Sequence, residues 1–370
     1  MKIKALALQN FKNYENLALE FTAGIQLILG QNGMGKTNLL DALHYLTFTK
    51  SAFVNTDNQN IRKGALYFLV KGDFENEEQT HEVICYHELR KKKMIKLNGS
   101  PYDRIIEHIG KLPLVLSTPY DSDLIRETSE VRRKWVDGCI AQYNQEYLAD
   151  LMVYNRILSQ RNALLKGMEG HLKASNLSLL DTYDTQLIAL SKSLSHVRAD
   201  FVSKFVPFLS ANEGLIVFEQ ETCSMTYQSQ VLSEDFERTF LESRKKDLLT
   251  LRTNVGSHKD DYPFLMDGQP LKKFGSQGQQ KSFLIALRLS QYDYLAKATQ
   301  TKPMLLLDDI FDKLDDERIG RLTDLLSDSA RFGQVFITDA RKERSSLLMQ
   351  GKHNAKIFEI ENGKVNSYET

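Results

Sequence analysis

The sequence has no excess of charge of either sign: 48 lysines and arginines are matched by 48 aspartates and glutamates. Bulk electrostatics therefore points to no polyanionic partner, and any nucleic-acid surface must be a local patch offset by acids elsewhere. Cysteine is scarce. The three present, Cys85, Cys139 and Cys223, lie far apart with no Cys-x-x-Cys spacing, which excludes a disulfide framework or a zinc ribbon and suits a reducing cytosol. No apolar run approaches the length that spans a bilayer. The opening MKIKALALQNF reads as a charged, alternating strand rather than a signal peptide, so a cytoplasmic, non-membrane protein is expected. Proline is missing between Pro119 and Pro207, which leaves a long stretch free to be helical. No internal repeat is visible. At 370 residues the chain can bury a full core and hold two domains.

The most informative stretch is IQLILGQNGMGKTNLL, Ile25 to Leu40. An apolar strand stops at Gly30, G-x-x-x-x-G-K-T runs from Gly30 through Gln31, Asn32, Gly33, Met34, Gly35 and Lys36 to Thr37, and an apolar-periodic helix follows. Strand, glycine loop and helix are the context a P-loop requires. Its glycines let backbone N–H groups face a phosphate chain at the positive end of the helix. Lys36 is placed to reach the β- and γ-phosphates, and Thr37 to hold Mg²⁺. A nucleoside triphosphate is expected here.

Before this loop, Met1–Leu8 and Leu17–Phe21 read as a hairpin. Asn10 to Tyr14, with a lysine between two aromatics, is either a contact to a purine or phosphate or an aromatic turn over the sheet. After the loop, short β-runs are expected at 67–71, 82–86, 94–97 and 112–116, with a turn at Asn98-Gly99. From Ser129 to Phe208 the pattern is helical. Leu148, Leu151, Asn155, Leu158, Asn162 and Leu165 form one seam, and Leu180, Tyr183, Leu187, Leu190, Leu194, Val197 and Phe201 another. A turn in 167–176, including Gly170, makes these an antiparallel hairpin, either a short arm or part of a bundle. Strands follow at 215–218 and 224–227, then a helix over 236–251. Tyr262–Met266 turns at Asp267-Gly268 toward a helix over 283–295. Further strands are expected at 304–307 and 334–338, and on both sides of Asn362-Gly363.

Two more features complement the P-loop. The apolar strand Met304–Leu307 ends in Asp308-Asp309, a Walker B pattern in which Asp308 holds Mg²⁺ opposite Thr37 and Asp309 orients or deprotonates the attacking water. The segment Gly275-Ser276-Gln277-Gly278-Gln279-Gln280 opens a helix with small residues, a second anion-binding device.

In order, these parts resemble the ABC-type ATPase head shared by transporters, SMC proteins and their DNA-repair relatives. FKNY (Phe11–Tyr14), SEVRRKWVD (Ser129–Asp137), SQRNALL (Ser159–Leu165), GSHKDD (Gly256–Asp261), SQGQQKS (Ser276–Ser282), residues 304–318 and QVFIT (Gln334–Thr338) resemble the bacterial RecF family. That resemblance implies an α/β fold, an ABC-type P-loop ATPase head with a mainly helical second lobe. The head is expected at 1–117 and 248–370, and the helical lobe with its hairpin at 118–247. It also implies an ATP-dependent homodimer in which Ser276, Gly278 and Gln279 of one copy cap the ATP held by Lys36 and its loop in the other. Asp312 and Asp315 belong to the loop after Walker B. Duplex and gapped DNA, and RecO- and RecR-type mediator proteins that help load recombinase, are the implied partners.

Two departures from the wider ABC pattern stand out. Thr118, Pro119 and Asp121 follow the 112–116 strand where a Q-loop glutamine would be, and Thr338-Asp339 stand where a switch histidine would be. With Asp309 in place of a glutamate, these imply slow, DNA-stimulated hydrolysis in which ATP acts as a clamp. A transporter ATPase subunit, the alternative, calls for both missing residues. A small-molecule kinase would leave the SQGQQ segment and helical insert without a role. The DNA-contact candidates are Arg62-Lys63, Arg90 to Lys93, and Arg132-Arg133-Lys134.

Overall fold

The computed structural model describes residues 1–76, 79–168, 174–216, 222–311, 316–341, 355–361 and 363–369. Gly170, Asp312, Asp315 and Asn362, named above, lie outside them. The chain divides into two compact units. One comprises Met1–Asp121, Gly214–Val217 and Lys281–Thr370, and the other Ser122–Glu213 and Phe218–Gln280. The return to the first unit therefore comes at Lys281, not at 248. Asp260 and Asp261 form ion pairs with Arg198 and Arg132 inside the second unit, and Phe264–Met266 pairs there with Cys223–Met225. The expected strand at 215–218 is also corrected, since helix Ala174–Ile216 runs through its first two residues.

In the first unit, strands β1 (Lys2–Phe11) and β2 (Tyr14–Glu20) form the expected hairpin. They belong to a six-stranded antiparallel sheet with β4 (Tyr67–Glu75), β5 (Thr80–Glu88), β6 (Met94–Leu97) and β7 (Ser100–Pro101). Period-2 burial along β4 places Phe68, Val70 and Phe74 in the core. A second sheet has the order β15-β14-β3-β13-β12-β8, formed by Lys364–Glu369, Ala355–Glu361, Gly24–Leu29, Gln334–Asp339, Met304–Leu307 and Leu114–Ser117. Apart from edge strand β15, its pairings are parallel. Its inner strands are near-continuous apolar runs because both faces are covered. Helix α1 (Lys36–Phe48) shares one core with both sheets through Leu39, Leu43 and Leu46. Buried Gln334 also links them. Its side chain accepts from Ile3 N at 2.8 Å and donates to Ile3 O at 3.0 Å, standing in for a backbone rung.

In the second unit, the long helices are α3 (Ser129–Ile140), α4 (Gln145–Gly167) and α5 (Ala174–Ile216). The expected 236–251 helix is two, α6 (Phe236–Glu242) and α7 (Arg244–Thr250), meeting at Ser243. Along α4 the buried stripe is Tyr147, Tyr154, Ile157, Arg161 and Leu165, one residue off the expected seam except at its end. On α5, Leu180, Leu187, Leu194 and Phe201 are buried as expected, but the alternate positions are Asp184, Ser191 and Arg198 rather than Tyr183, Leu190 and Val197. The seam is therefore half ionic. Arg161, fully buried, donates to Asp184 at 2.6 Å and to Asp247 and Thr253 at 2.8 Å. Arg198 spans Asp137 and Asp260. No helix among the described residues is long and apolar enough to cross a membrane.

Removing one member of such a cluster leaves buried charge without a partner. Arg161→Met should destabilise the second unit by about 3–5 kcal/mol, read as a lower unfolding midpoint by circular dichroism. An unchanged midpoint would show the cluster to be dispensable.

Candidate nucleotide-binding site

Parallel register decides where the site forms. Leu29 pairs with Asp339, Ile337 with Leu307, and Leu307 with Ser117, so the carboxyl ends of β3, β13, β12 and β8 finish side by side. In open α/β sheets that end is where ligands bind. Three sequence-predicted pieces arrive there together: the loop 30–35 after β3, Asp308-Asp309 after β12, and Thr338-Asp339 after β13.

The loop is shaped by contacts on two sides. Gly33 and Gly35 have φ of 82° and 115°, conformations that favour glycine. A Cβ on Gly35 would lie 2.5 Å from Asn13 Nδ2 and 2.9 Å from Tyr14 OH, so a side chain there would displace these two groups. Asn13 Nδ2 donates to Met34 O at 3.1 Å, and Tyr14 OH to Gly35 O at 3.0 Å. The FKNY segment is thus a brace for the loop. Phe11 and Tyr14 are buried, which removes them as purine-stacking groups, and Lys12 pairs with buried Asp41 at 2.5 Å. On the other side, Lys36 Nζ donates to Gly30 O at 2.7 Å and Gln31 O at 3.2 Å.

Asp308 is the convergence point. Thr37 Oγ1 lies 2.9 Å from Asp308 Oδ2 and 3.1 Å from Oδ1. Thr338 Oγ1 donates to Asp308 Oδ1 at 2.6 Å and accepts from Asp309 N at 2.9 Å. Burial pushes the Asp308 carboxyl above its ordinary range, opposed by the bonds from Thr338 and Thr37 and the charge of Lys36. Asp309 takes a left-handed backbone, φ 47°, at the end of the strand. Thr338, the last residue of QVFIT and the one that stands in the switch-histidine position, secures both members of the acid pair.

Where a Q-loop glutamine was missing, Asp121 accepts from Ser117 Oγ at 2.9 Å and from Arg288 at 2.7 and 2.8 Å. It closes the β8 end with a bidentate ion pair. Neither the Asn13–Tyr14 brace nor the Asp121–Arg288 pair was visible in the motif spacing.

Ser276, Gly278 and Gln279 belong to the second unit. Gln279 N donates to Ser276 Oγ at 3.2 Å, and Ser276 N to Gln279 Oε1 at 2.6 Å. This is a capping box at the start of α9 (Gln277–Thr299). Ser276, Gln277 and Gly278 are exposed.

The basic candidates separate. Arg132 makes a bidentate pair with Asp261, Lys134 pairs with Glu130, Arg62 with Glu15, Lys91 with Glu88 and Lys93 with Asp57. GSHKDD is likewise structural in its acids, and burial lowers the His258 pKa to about 4, where its ring joins Tyr154 OH to Thr253 O.

Comparison with known proteins agrees with this geometry. The family model described as RecF/RecN/SMC N terminal domain matches residues 2–366. A DNA replication and repair protein RecF from Cytophaga hutchinsonii is 43% identical over 366 residues, covering 99% of this chain and 96% of the relative. The chain belongs to the RecF family of DNA replication and repair proteins. A RecF from Flavobacterium johnsoniae is 39% identical, over 97% of this chain and 100% of the relative. A solved RecF recombination mediator with ATPrS, described as part of the RecFOR pathway, superposes with a TM-score of 0.88 at 29% identity, covering 100% of this chain and 98% of that one. An Smc head domain from Pyrococcus furiosus, at 18% identity and TM-score 0.55 over 99% of this chain and 96% of that one, shares the fold. The α/β architecture is therefore that of an ABC-type ATPase head with a helical second unit.

Two substitutions test the bracing contacts. Tyr14→Phe removes the donor to Gly35 O and should cost about 1 kcal/mol, seen as faster amide exchange across 33–37. Equal exchange would separate the hairpin from the loop. Thr338→Val removes a bond that favours ionised Asp308, so the Asp308 pKa should rise further. Protons compete with a cation for this carboxylate, so divalent-cation affinity, which weakens as pH falls, should weaken at higher pH in the variant. A pH titration of Mg²⁺–nucleotide binding that superposes on the parent would count against it.

Proposed function

We propose that the protein binds ATP with Mg²⁺ and uses it to close a homodimer on double-stranded DNA near single-strand gaps, acting in the cytoplasm in recombinational repair and replication restart. The observation that carries this reading is the meeting of Thr37 and the Asp308 carboxylate at 2.9 Å beside the glycine loop, in a RecF-family chain. A hydroxyl and a carboxylate are hard oxygen donors, a set that fits Mg²⁺, and these two residues would hold it. Bound there, the ion supplies charge to the phosphate oxygens.

The loop N–H groups from Gly30 to Thr37, including those of Gln31, Asn32, Gly33, Met34 and Gly35, cradle the phosphates. Lys36 turns from the Gly30 and Gln31 carbonyls to the β- and γ-oxygens. Asp309 orients the attacking water, and its short reach, together with Thr338 in the switch position, supports slow hydrolysis that releases the dimer. Ser276, Gly278 and Gln279 of the second copy cap the triphosphate, which requires the Ser276–Gln279 pair to exchange its mutual bonds for phosphate contacts. RecO- and RecR-type proteins are the mediators with which recombinase loading is shared, in keeping with the RecFOR pathway attributed to the solved RecF relatives.

A transporter ATPase subunit is disfavoured by Thr118 and Thr338, both engaged in hydrogen bonds to site carboxylates. The test is sedimentation with and without ATP. Wild type should become dimeric with ATP, while Lys36→Met and Ser276→Arg should stay monomeric with unchanged folding. Normal dimerisation of either variant would refute the paired-site reading.

A further inference from the structure

Equal numbers of acidic and basic residues conceal an imbalance in the second unit. Two aspartates that the sequence places beside basic residues, Asp247 and Asp260, are turned to interior arginines, and half-buried Asp261 is turned to Arg132. Asp247 pairs with Arg161, Asp260 with Arg198, and Asp261 with Arg132. The cations next to them are left outside. Lys246, Arg252 and Lys259 are all exposed and have no acidic partner within ion-pair distance among the described residues. Among the described residues, Arg133 beside them donates to neutral oxygens, Ser129 Oγ at 2.7 Å and Asp260 O at 2.6 Å.

These cations come from separate stretches that hydrogen bonds draw together. Asp247, next to Lys246, accepts from Asn254 N at 3.0 Å and Nδ2 at 2.8 Å, which folds the Arg252 segment back onto α7. His258, next to Lys259, reaches Thr253 O at 3.1 Å. Arg133 Nη1 meets the carbonyl that follows Lys259. The proximity is felt electrostatically. Partial burial, then Arg252 and Arg133, hold the Lys259 amine below the ordinary lysine range, with the Asp247 carboxylate opposing them and Lys246 adding a smaller push. Like charges gathered in excess of their countercharge destabilise a surface, and an external polyanion relieves that repulsion.

We propose that Lys246, Arg252 and Lys259, with Arg133 beside them, form a contact surface for the phosphodiester backbone of a nucleic acid. The inference rests on the DNA-binding reading above and locates a contact that none of the three basic runs in the sequence supplies intact. A phosphate backbone suits the surface because it presents regularly spaced negative charge and asks only for cations, whereas Asp247 and Asp260, the carboxylates next to Lys246 and Lys259, are drawn inward. The contact positions the duplex and carries no base preference.

The test uses the full chain with ATP and a duplex oligonucleotide, followed by fluorescence anisotropy across roughly 50–200 mM salt. The triple variant Lys246→Gln, Arg252→Gln, Lys259→Gln should show a plot of log affinity against log salt that is shallower by about 2–3, from a slope of about 0.9 per phosphate contact. Lys259→Arg alone should keep the parental slope. Nucleotide affinity and unfolding midpoint, measured in parallel, should stay at parental values. An unaltered protein that bound no DNA would refute the proposed function and this inference together. DNA binding with the same slope in parent and triple variant would overturn this inference alone. So would an unchanged slope accompanied by loss of binding to a polyglutamate probe, which would reassign the surface to an acidic protein segment.

Discussion

The hydrogen bond between Thr37 and Asp308 depends on parallel register, and most of the first unit is arranged to supply it. The two residues are separated by 271 positions in the chain. They meet because β3, β13 and β12 are aligned so that each strand ends at the same level. A slip of one residue would turn every side chain of a strand to its opposite face. Burial by a helix and a second sheet fixes the alignment, since the strands' apolar residues have no solvent-facing alternative. Gln334 adds a polar constraint, tying β13 to β1 through side-chain rungs that tolerate no shift.

The second unit is organised by a different force. Its long helices meet through apolar residues at one seam position and through charges at the other. Arg161 and Arg198 each satisfy two carboxylates from distant parts of the chain, including the 248–280 region. Charge neutralisation thereby determines which stretch packs with which helix. It also determines what is left outside, because an aspartate committed to an interior arginine no longer screens the lysine beside it.

These two forces explain what could be read from the sequence. The first sheet hairpin, the glycine loop, the acid-ended strand and the parallel strands were legible because their signals are local: period-2 alternation, glycine spacing, and apolar runs of strand length. The seam on α5 was half legible. Leu180, Leu187, Leu194 and Phe201 declare themselves, while Asp184 and Arg198 look like solvent-facing residues until their partners are known. Tyr147, Tyr154 and Arg161 shifted the α4 stripe by one residue for the same reason. At the site, Thr338 and Asp121 carry no motif of their own. Their roles come from strands that are neighbours in space and distant in sequence. FKNY is compatible in sequence with a ligand contact or an aromatic turn, and the burial of Phe11 and Tyr14 decides for the turn.

The glycine loop is restrained unequally along its length. At its later end, the Met34 and Gly35 carbonyls are held by neutral donors that belong to the hairpin. At its earlier end, the Gly30 and Gln31 carbonyls are held by the ammonium of Lys36. A phosphate that takes this ammonium leaves the Gly30 carbonyl without that donor, while Gln31 O still accepts from Met34 N at 3.4 Å and the later end stays fixed. The change in restraint is therefore concentrated at the Gly30 carbonyl.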